Sequence, residues 1–411
     1  MSALSGRGVL VTGGTGFLGS RVVEKLVLEH GARVRVLTSN YARAARAARF
    51  DLELVRGDVG DRDLVRAAAE GCDVIVHCAY GSRGSERERR RVTVEGTRAV
   101  LDAALAVRAA RVVHVSTMVV YGIGIEGVLD ERAARRRSGV GYADTKLEAE
   151  ALALRYAQEH GAPVTVIQPT AVYGPYAPSW TERVIESLKT RQVVLIDGGT
   201  GLANPVYVDD VADAMLLAAI RDEAVGEAFL VASGERVTWR AFLERYERML
   251  GYRSTVDMSA AAAKAHHAKA QRRRGVLAEL RSSVAADSAL RKRLMKTREL
   301  DALVRLLRPA ADTAALRPLV ARLKRGGRRR QRGDGGRPPS GVAPGADASK
   351  RIESVHPKQV DFLAAKTDVS IAKARHLLGY DPRFDLDAGM ALTEAYLRWA
   401  NLLPLEDDPC A

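Results

Sequence analysis

Gly8-Val9-Leu10-Val11-Thr12-Gly13-Gly14-Thr15-Gly16-Phe17-Leu18-Gly19 is the stretch on which the fold turns. A β-branched strand ends in three glycines, Gly13, Gly16 and Gly19, spaced G-x-x-G-x-x-G. Residues 21–30 follow as a helix, apolar at Val22, Val23, Leu26 and Val27. Glycine in such a turn lets the chain reverse tightly, lets backbone approach a pyrophosphate, and lets helix and strand pack closely. The phosphates then lie over the free N–H groups and positive dipole end of the first helix, and Phe17 and Leu18, within the glycine motif, are candidate cofactor contacts. The stretch predicts a dinucleotide-binding βαβ unit.

Working outward, strands and helices alternate as far as residue 170. Residues 33–37, 52–55, 74–78, 112–116 and 164–168 read as further strands, and residues 92–108 as a helix between two of them. Strands apolar on both faces, alternating with helices, imply an α/β fold: a Rossmann-type, doubly wound parallel sheet with ligands at the strands' carboxyl ends. Residues 1–170 are read as the nucleotide-binding domain, completed by elements returning from 204–232. Residues 171–258 and 352–411 are read as a smaller substrate-binding lobe.

Residues 259–351 differ in composition. They carry 24 Lys/Arg against 7 Asp/Glu, a net of +17 that exceeds the +14 of the whole chain and leaves the remainder at −3. Leu300, Leu303, Val304 and Leu307 repeat at helical spacing, as do Leu316, Leu319, Val320 and Leu323, and both stripes are flanked by cations. Two basic amphipathic helices followed by a disordered stretch over 326–345 are expected. They could lie on an anionic membrane surface or an acidic partner, or pack on the protein's own body. The segment lacks Tyr, Phe and Trp for base stacking, which disfavours nucleic acid. His266-His267 brings no third ligand at useful spacing, so no metal site is expected. No run reaches the roughly 20 apolar residues of a membrane span. The start of the chain shows no signal segment, and Cys72, Cys78 and Cys410 have no disulfide spacing; a cytoplasmic protein is expected, peripheral at most to a membrane.

Tyr142-Ala143-Asp144-Thr145-Lys146 opens a helix and puts Tyr142 and Lys146 on one face. A nearby ammonium favours phenolate over phenol, so the Tyr142 pKa is expected to fall toward the working pH. Ser116-Thr117, just past a strand end, supplies hydroxyl donors for a reacting oxygen.

Together these motifs resemble those of the extended short-chain dehydrogenases/reductases, a group of epimerases, dehydratases and reductases. The resemblance rests on Thr12–Gly19, Gly57-Asp58-Val59, His77-Cys78-Ala79, Val115–Gly122, Tyr142 with Lys146, Pro169–Pro175 and Asn204–Ala212. It implies Tyr142 as general acid/base, Lys146 as the cation that tunes it and binds the nicotinamide ribose, and Thr117 as donor to the substrate oxygen. Asp58 would contact the adenine, with Val59 beside it. Thr38, Cys78, Ala79, Pro169 and Val172 would line the cofactor, and Ser116, Tyr80 and Asn204 the substrate.

Four departures shape the reading. Met118-Val119 stand where the group's dehydratases carry Asp-Glu, and neither side chain moves a proton, which disfavours a dehydratase. Thr93 replaces a usual Asn. Ala203 replaces an Arg used on sugar-nucleotide diphosphates, and Gln168 an Arg before the Pro. After the second strand, Thr38-Ser39-Asn40 offers no carboxylate for a ribose diol, and Arg43 and Arg46 are near; of NAD and NADP, NADP is favoured. The expected activity is hydride transfer at a secondary alcohol or ketone, by a nucleotide-sugar epimerase or a ketoreductase. The alternatives are a reductase of a sterol-like or secondary-metabolite substrate, and a non-catalytic dinucleotide sensor. A small-molecule substrate and a homodimer complete the expectation.

Overall fold

The computed structural model describes residues 2–82, 84–272 and 351–404. Seven parallel strands form the central sheet: β1 (Gly8–Thr12), β2 (Arg33–Thr38), β3 (Glu53–Arg56), β4 (Val74–His77), β5 (Arg111–Val115), β6 (Val164–Pro169) and β7 (Ala228–Val231). Their order is β7-β6-β5-β4-β1-β2-β3, so the winding reverses between β1 and β4. Val9 pairs with Val34 on one side and Val74 on the other. In this register Thr12 and His77 end side by side at the carboxyl edge, where such sheets open a crevice. Val9, Leu10, Val11, Ile75 and Val113 are wholly buried, as expected of strands covered on both faces.

Helices α1 (Phe17–Leu28) and α5 (Val208–Ala218) cover one face; α2 (Arg62–Ala69), α3 (Gly96–Val107) and α4 (Gly141–His160) cover the other. The first helix starts at Phe17, one turn before the expected Arg21, because Gly16 is already its N-cap. Ion pairs of Arg21 with Asp209 (2.6 Å) and Lys25 with Asp213 (2.7 Å) join α1 to α5. The helix expected over 92–108 begins earlier, at Glu86–Arg90, and reaches α3 through a π turn over Arg91–Glu95. Ser85 and Glu88 close its N-terminus with a capping box.

Outside the central sheet, three short parallel pairs join segments distant in sequence. Ala171–Tyr173 pairs with Pro205–Tyr207, Val193–Ile196 with Thr255–Met258, and Gly127–Leu129 with Thr367–Val369. An aromatic cluster of Tyr173, Trp239, Phe242 and Tyr246, with Trp180 and Phe362 against it, fills the smaller lobe. Val369, Ile371, Ala374, Leu378 and Tyr380 do not join that cluster; they pack in the core beside the central sheet.

The chain divides into two compact units. The body runs to Lys264 and takes in residues 351–404; the second unit begins at Ala265 and is described only over its helical residues 265–272. The first residues of the basic segment, up to Lys264, belong to the body. Ala263 is buried with Val194, Ile196, Val355 and Val360, and Lys264 pairs with Asp361 at 2.6 Å. The leucine stripes at 300–307 and 316–323, and Cys410, lie outside the described residues. Among the described residues no helix is long and apolar enough to cross a membrane, and no cluster of side chains could hold a metal ion.

Candidate active site

The glycine turn sets the floor of the site. Gly13 has φ +69°, and a Cβ there would come 2.8 Å from the Ala79 nitrogen. A Cβ on Gly19 would collide with the Gly13 carbonyl oxygen. Gly16 caps α1 with no side chain, so no side-chain oxygen competes for the N–H groups of the first turn. Those N–H groups, the close β1–β4 approach and the helix dipole fit a pyrophosphate.

The reactive groups converge from β5 and α4. Thr117 follows β5 by two residues and lies close enough to the Tyr142 phenol, in the first turn of α4, to influence its ionisation. Lys146, one turn further, is buried and donates from Nζ to the Val115 carbonyl at 2.7 Å. Its ammonium stands 5.3 Å from the centre of the Tyr80 ring, which meets Tyr142 edge-on at 5.9 Å. Burial lowers the Lys146 pKa to about 8, against the smaller opposing pull of Cys78 and Glu150.

The expected fall of the Tyr142 pKa is not met: although the residue is half exposed, desolvation of its hydroxyl by the surrounding groups, with Tyr80 adding to it, pushes the phenol up to about 12. Thr117 opposes this shift but is outweighed, and the Lys146 ammonium is turned to a backbone carbonyl. The phenol is thus in its proton-donating form at neutral pH.

The remaining predicted residues fall into two groups. Cys78 and Ala79 follow β4 beside Gly13, and burial raises the Cys78 thiol to about 12. Thr38 ends β2 with its hydroxyl 3.1 Å from that of Thr15. Arg43 is exposed on the next turn, whereas Arg46 stacks over the Tyr176 ring at 3.9 Å. Asp58 binds Arg91 through both carboxylate oxygens, and the pair holds its pKa below the ordinary value; Val59 is buried against Gly96. Pro169 is buried at the end of β6, and Val172 lies opposite Val206 in the adjoining ladder. Two substrate candidates are committed elsewhere. Ser116 is buried and donates to Glu150, and Asn204, at φ +44°, is buried with its amide donating to the Thr367 carbonyl at 2.9 Å.

Two buried networks escaped the sequence reading. The first crosses the sheet edge: His77 lies between the Thr12 hydroxyl (2.6 Å from Nδ1) and the Thr97 hydroxyl (3.0 Å from Nε2). Thr97 in turn donates to the Thr93 carbonyl, and the Thr93 hydroxyl accepts from the Gly81 N–H. Burial lowers the His77 pKa to about 3, so its ring is neutral, donating on one side and accepting on the other. The second surrounds Glu150, which is wholly buried one turn beyond Lys146. It receives Arg135 at 2.5 Å, Gln168 at 2.8 Å and the Ser116 hydroxyl. The Tyr121 hydroxyl donates to the far side of the Gln168 amide at 2.9 Å. An i+4 acidic residue after Lys146 was the available signal; its partners come from three distant segments.

A family model for the NAD dependent epimerase/dehydratase family matches residues 9–232. A ketoreductase of Stigmatella aurantiaca acting on 4-hydroxy-2-methyl-3-oxo-4-farnesyl-3,4-dihydroquinoline-1-oxide is 32% identical over 263 residues, covering 62% of this chain and 78% of that protein. A dTDP-glucose 4,6-dehydratase of Streptomyces niveus is 32% identical over 252 residues, 56% of this chain and 74% of the other. In fold, the UDP-glucose 4-epimerase of Thermotoga maritima, solved with UDP-glucose, superposes with a TM-score of 0.62 at 18% identity, covering 96% of this chain and 99% of that one. The glycine turn, the Thr117–Tyr142–Lys146 constellation and the match over more than half its length establish that this chain belongs to the NAD dependent epimerase/dehydratase family.

Proposed function

We propose that this protein is an NAD(P)-dependent ketoreductase, reducing a ketone on a non-nucleotide substrate to a secondary alcohol. The observation that carries the reading is the convergence of Thr117, just past the end of β5, with Tyr142 and the buried Lys146 of α4. Bound nicotinamide would supply the hydride; Tyr142 would deliver the proton to the developing alkoxide, and Thr117 would hold that oxygen in line. Lys146, buried behind the pair, would grip the nicotinamide ribose and stabilise the phenolate left after proton transfer. Dehydratase chemistry needs a second proton-moving pair after Thr117, where Met118 and Val119 stand.

The substrate class follows from position 203. Ala203 is buried in the aromatic lobe, and its neighbour Asn204 is tied to Thr367, so neither offers a cation to a diphosphate. The farnesylated quinoline substrate of the Stigmatella relative fits the same reading. A nucleotide-sugar epimerase is the second reading. It is favoured by the dTDP-glucose relative and by the Lys358 ammonium, which lies against Gly139 three residues before Tyr142. NADP is proposed over NAD because β2 ends in Thr38 without a carboxylate while Arg43 is exposed in the next turn.

Thermal-shift measurements with NADH and NADPH, each combined with UDP-, GDP- and dTDP-sugars, test this. NADPH is expected to raise the melting temperature more than NADH, with no further rise from any sugar nucleotide. A further rise with one of them moves the assignment to the epimerase. Tyr142→Phe should keep NADPH binding and lose roughly 10²–10⁴-fold in ketone reduction; near-native turnover would remove Tyr142 from the mechanism.

A further inference from the structure

We infer that Glu150 is a positioning residue for the reaction centre: through one buried carboxylate it ties the strand end bearing Thr117 and the loop bearing Arg135 to the helix bearing Tyr142 and Lys146. The inference rests on the reading of Tyr142 and Lys146 given above. Three partners meet on the two oxygens of Glu150. Oε2 accepts from Ser116, the residue before Thr117, so α4 is anchored next to the substrate-oxygen donor. Oε1 accepts from Arg135 at 2.5 Å and from Gln168 at 2.8 Å, which brings in the loop ahead of α4 and the end of β6.

The Arg135 loop is itself pinned at other points. The Glu131 carboxylate accepts from the Leu230 N–H of β7 at 2.8 Å, and the Arg136 N–H reaches the Val120 carbonyl at 2.9 Å. The Asp144 carboxylate accepts from the N–H groups of Ser138 (2.7 Å) and Gly139, closing the loop onto the first turn of α4. The residue type at 168 follows from this arrangement. Arg135 already brings a cation from the loop, so the neutral amide of Gln168 suffices to complete the shell around the carboxylate. A carboxylate so enclosed is costly to bury unless every partner is kept, so the cluster holds its members in one arrangement. Loss of it displaces Thr117 and Tyr142 relative to one another, and a 1 Å misplacement of reacting groups costs on the order of 10²-fold in rate.

A positioning role that works through Lys146 has an electrostatic signature that a merely structural role lacks. The groups facing the Lys146 ammonium are the Cys78 thiol, the neutral rings of His77 and His114, the Tyr80 and Tyr142 rings, and Glu150. Glu150 is the carboxylate among them, and it favours the charged lysine. NADH titrations of the full chain, followed by fluorescence from pH 6.5 to 10.5, read that charge without a substrate. Wild type should lose affinity above about pH 8. Glu150→Gln should move this alkaline limb to lower pH by at least half a unit, while Glu150→Asp, which keeps the charge, should leave it in place.

Should Glu150→Gln not fold, the double variant Arg135→Gln/Glu150→Gln removes the buried carboxylate and its half-buried partner together and makes the same comparison. An unmoved limb in the neutral variants, or one that moves equally in Glu150→Asp, overturns the inference. A wild-type affinity that is flat across the whole range would instead refute the placement of Lys146 on the cofactor.

Discussion

Replacing Lys146 with Met should make the apo protein more stable while destroying its affinity for the dinucleotide. Lys146 is 3% exposed, and burial lowers its pKa from 10.5 to about 8. At 1.36 kcal/mol per unit, keeping the ammonium charged in that environment costs the fold about 3 kcal/mol at neutral pH. Met fills a similar volume without the charge, but leaves the Val115 carbonyl without its 2.7 Å donor, a loss of about 1 kcal/mol. The net gain of about 2 kcal/mol corresponds to roughly 3 °C in melting temperature for a body of this size. The pH dependence fixes the sign. Below pH 8 the lysine is protonated in both folded and unfolded chains, and the variant's advantage is full and constant. Between pH 8 and 10.5 the folded wild type has released the proton that the unfolded chain still holds, so wild-type stability rises with pH and the gap closes. Melting curves of both proteins at pH 7, 8, 9 and 10, with NADH titrations alongside, measure this. A variant less stable than wild type at pH 7, or a gap that does not narrow above pH 8, would refute the reasoning.

Gly13→Ala should abolish detectable dinucleotide binding and lower the melting temperature, since φ is +69° and the new methyl would meet the Ala79 nitrogen at 2.8 Å; retained NADPH affinity would contradict the close-approach argument. Thr117→Val, nearly isosteric, should leave the NADPH dissociation constant unchanged and cut ketone reduction roughly 10²-fold, as removal of a single oxyanion donor does. A loss confined to cofactor affinity would place Thr117 outside the reacting centre. Residues 265–343 carry 21 Lys/Arg against 6 Asp/Glu, so the full chain should bind phosphatidylglycerol vesicles at low salt and release them at about 0.5 M salt, and a chain lacking those residues should not bind. Full-length protein that stays in solution with such vesicles at low salt would rule out an anionic-surface role for the segment.

Much of the nucleotide-binding fold was legible because its signals are local. Val9–Val11, Val74–Val76 and Val112-Val113 are apolar on both faces within a few residues, and Gly13, Gly16 and Gly19 announce the turn between strand and helix. Tyr142 and Lys146 share one helical turn, so their meeting needed only the helix. What escaped is long-range. The strand Ala228–Val231 is short and follows a loop; it is recognisable as the sheet's edge only once β6 is in place beside it. The Glu150 cluster draws Ser116, Arg135 and Gln168 from three segments, and no spacing rule brings them together. The partners of Ser116 and Asn204 were not legible for the same reason: each has a polar side chain beside a motif, and its partner, Glu150 or Thr367, lies 34 and 163 residues away. The raised Tyr142 pKa was missed because helical spacing gives proximity to Lys146 but not the direction in which its ammonium turns.

The π turn over Arg91–Glu95 makes this stretch sensitive to length as well as to residue type. It is wider than an α-helical turn, and this sets where the side chains on either side of it point. With it, Arg91 reaches Asp58, Thr93 reaches Gly81, and Thr97 still meets His77. Excising Val94 or Glu95 would restore a regular helix and swing everything before it by about 100° around the axis. Arg91 would then leave Asp58 and Thr93 would leave the loop carrying Tyr80, while the Thr97–His77 contact survived. A one-residue gap at this place in a related chain would therefore mark a protein whose Asp58 turn and Tyr80 loop are no longer anchored through this helix, however well its other motifs are preserved.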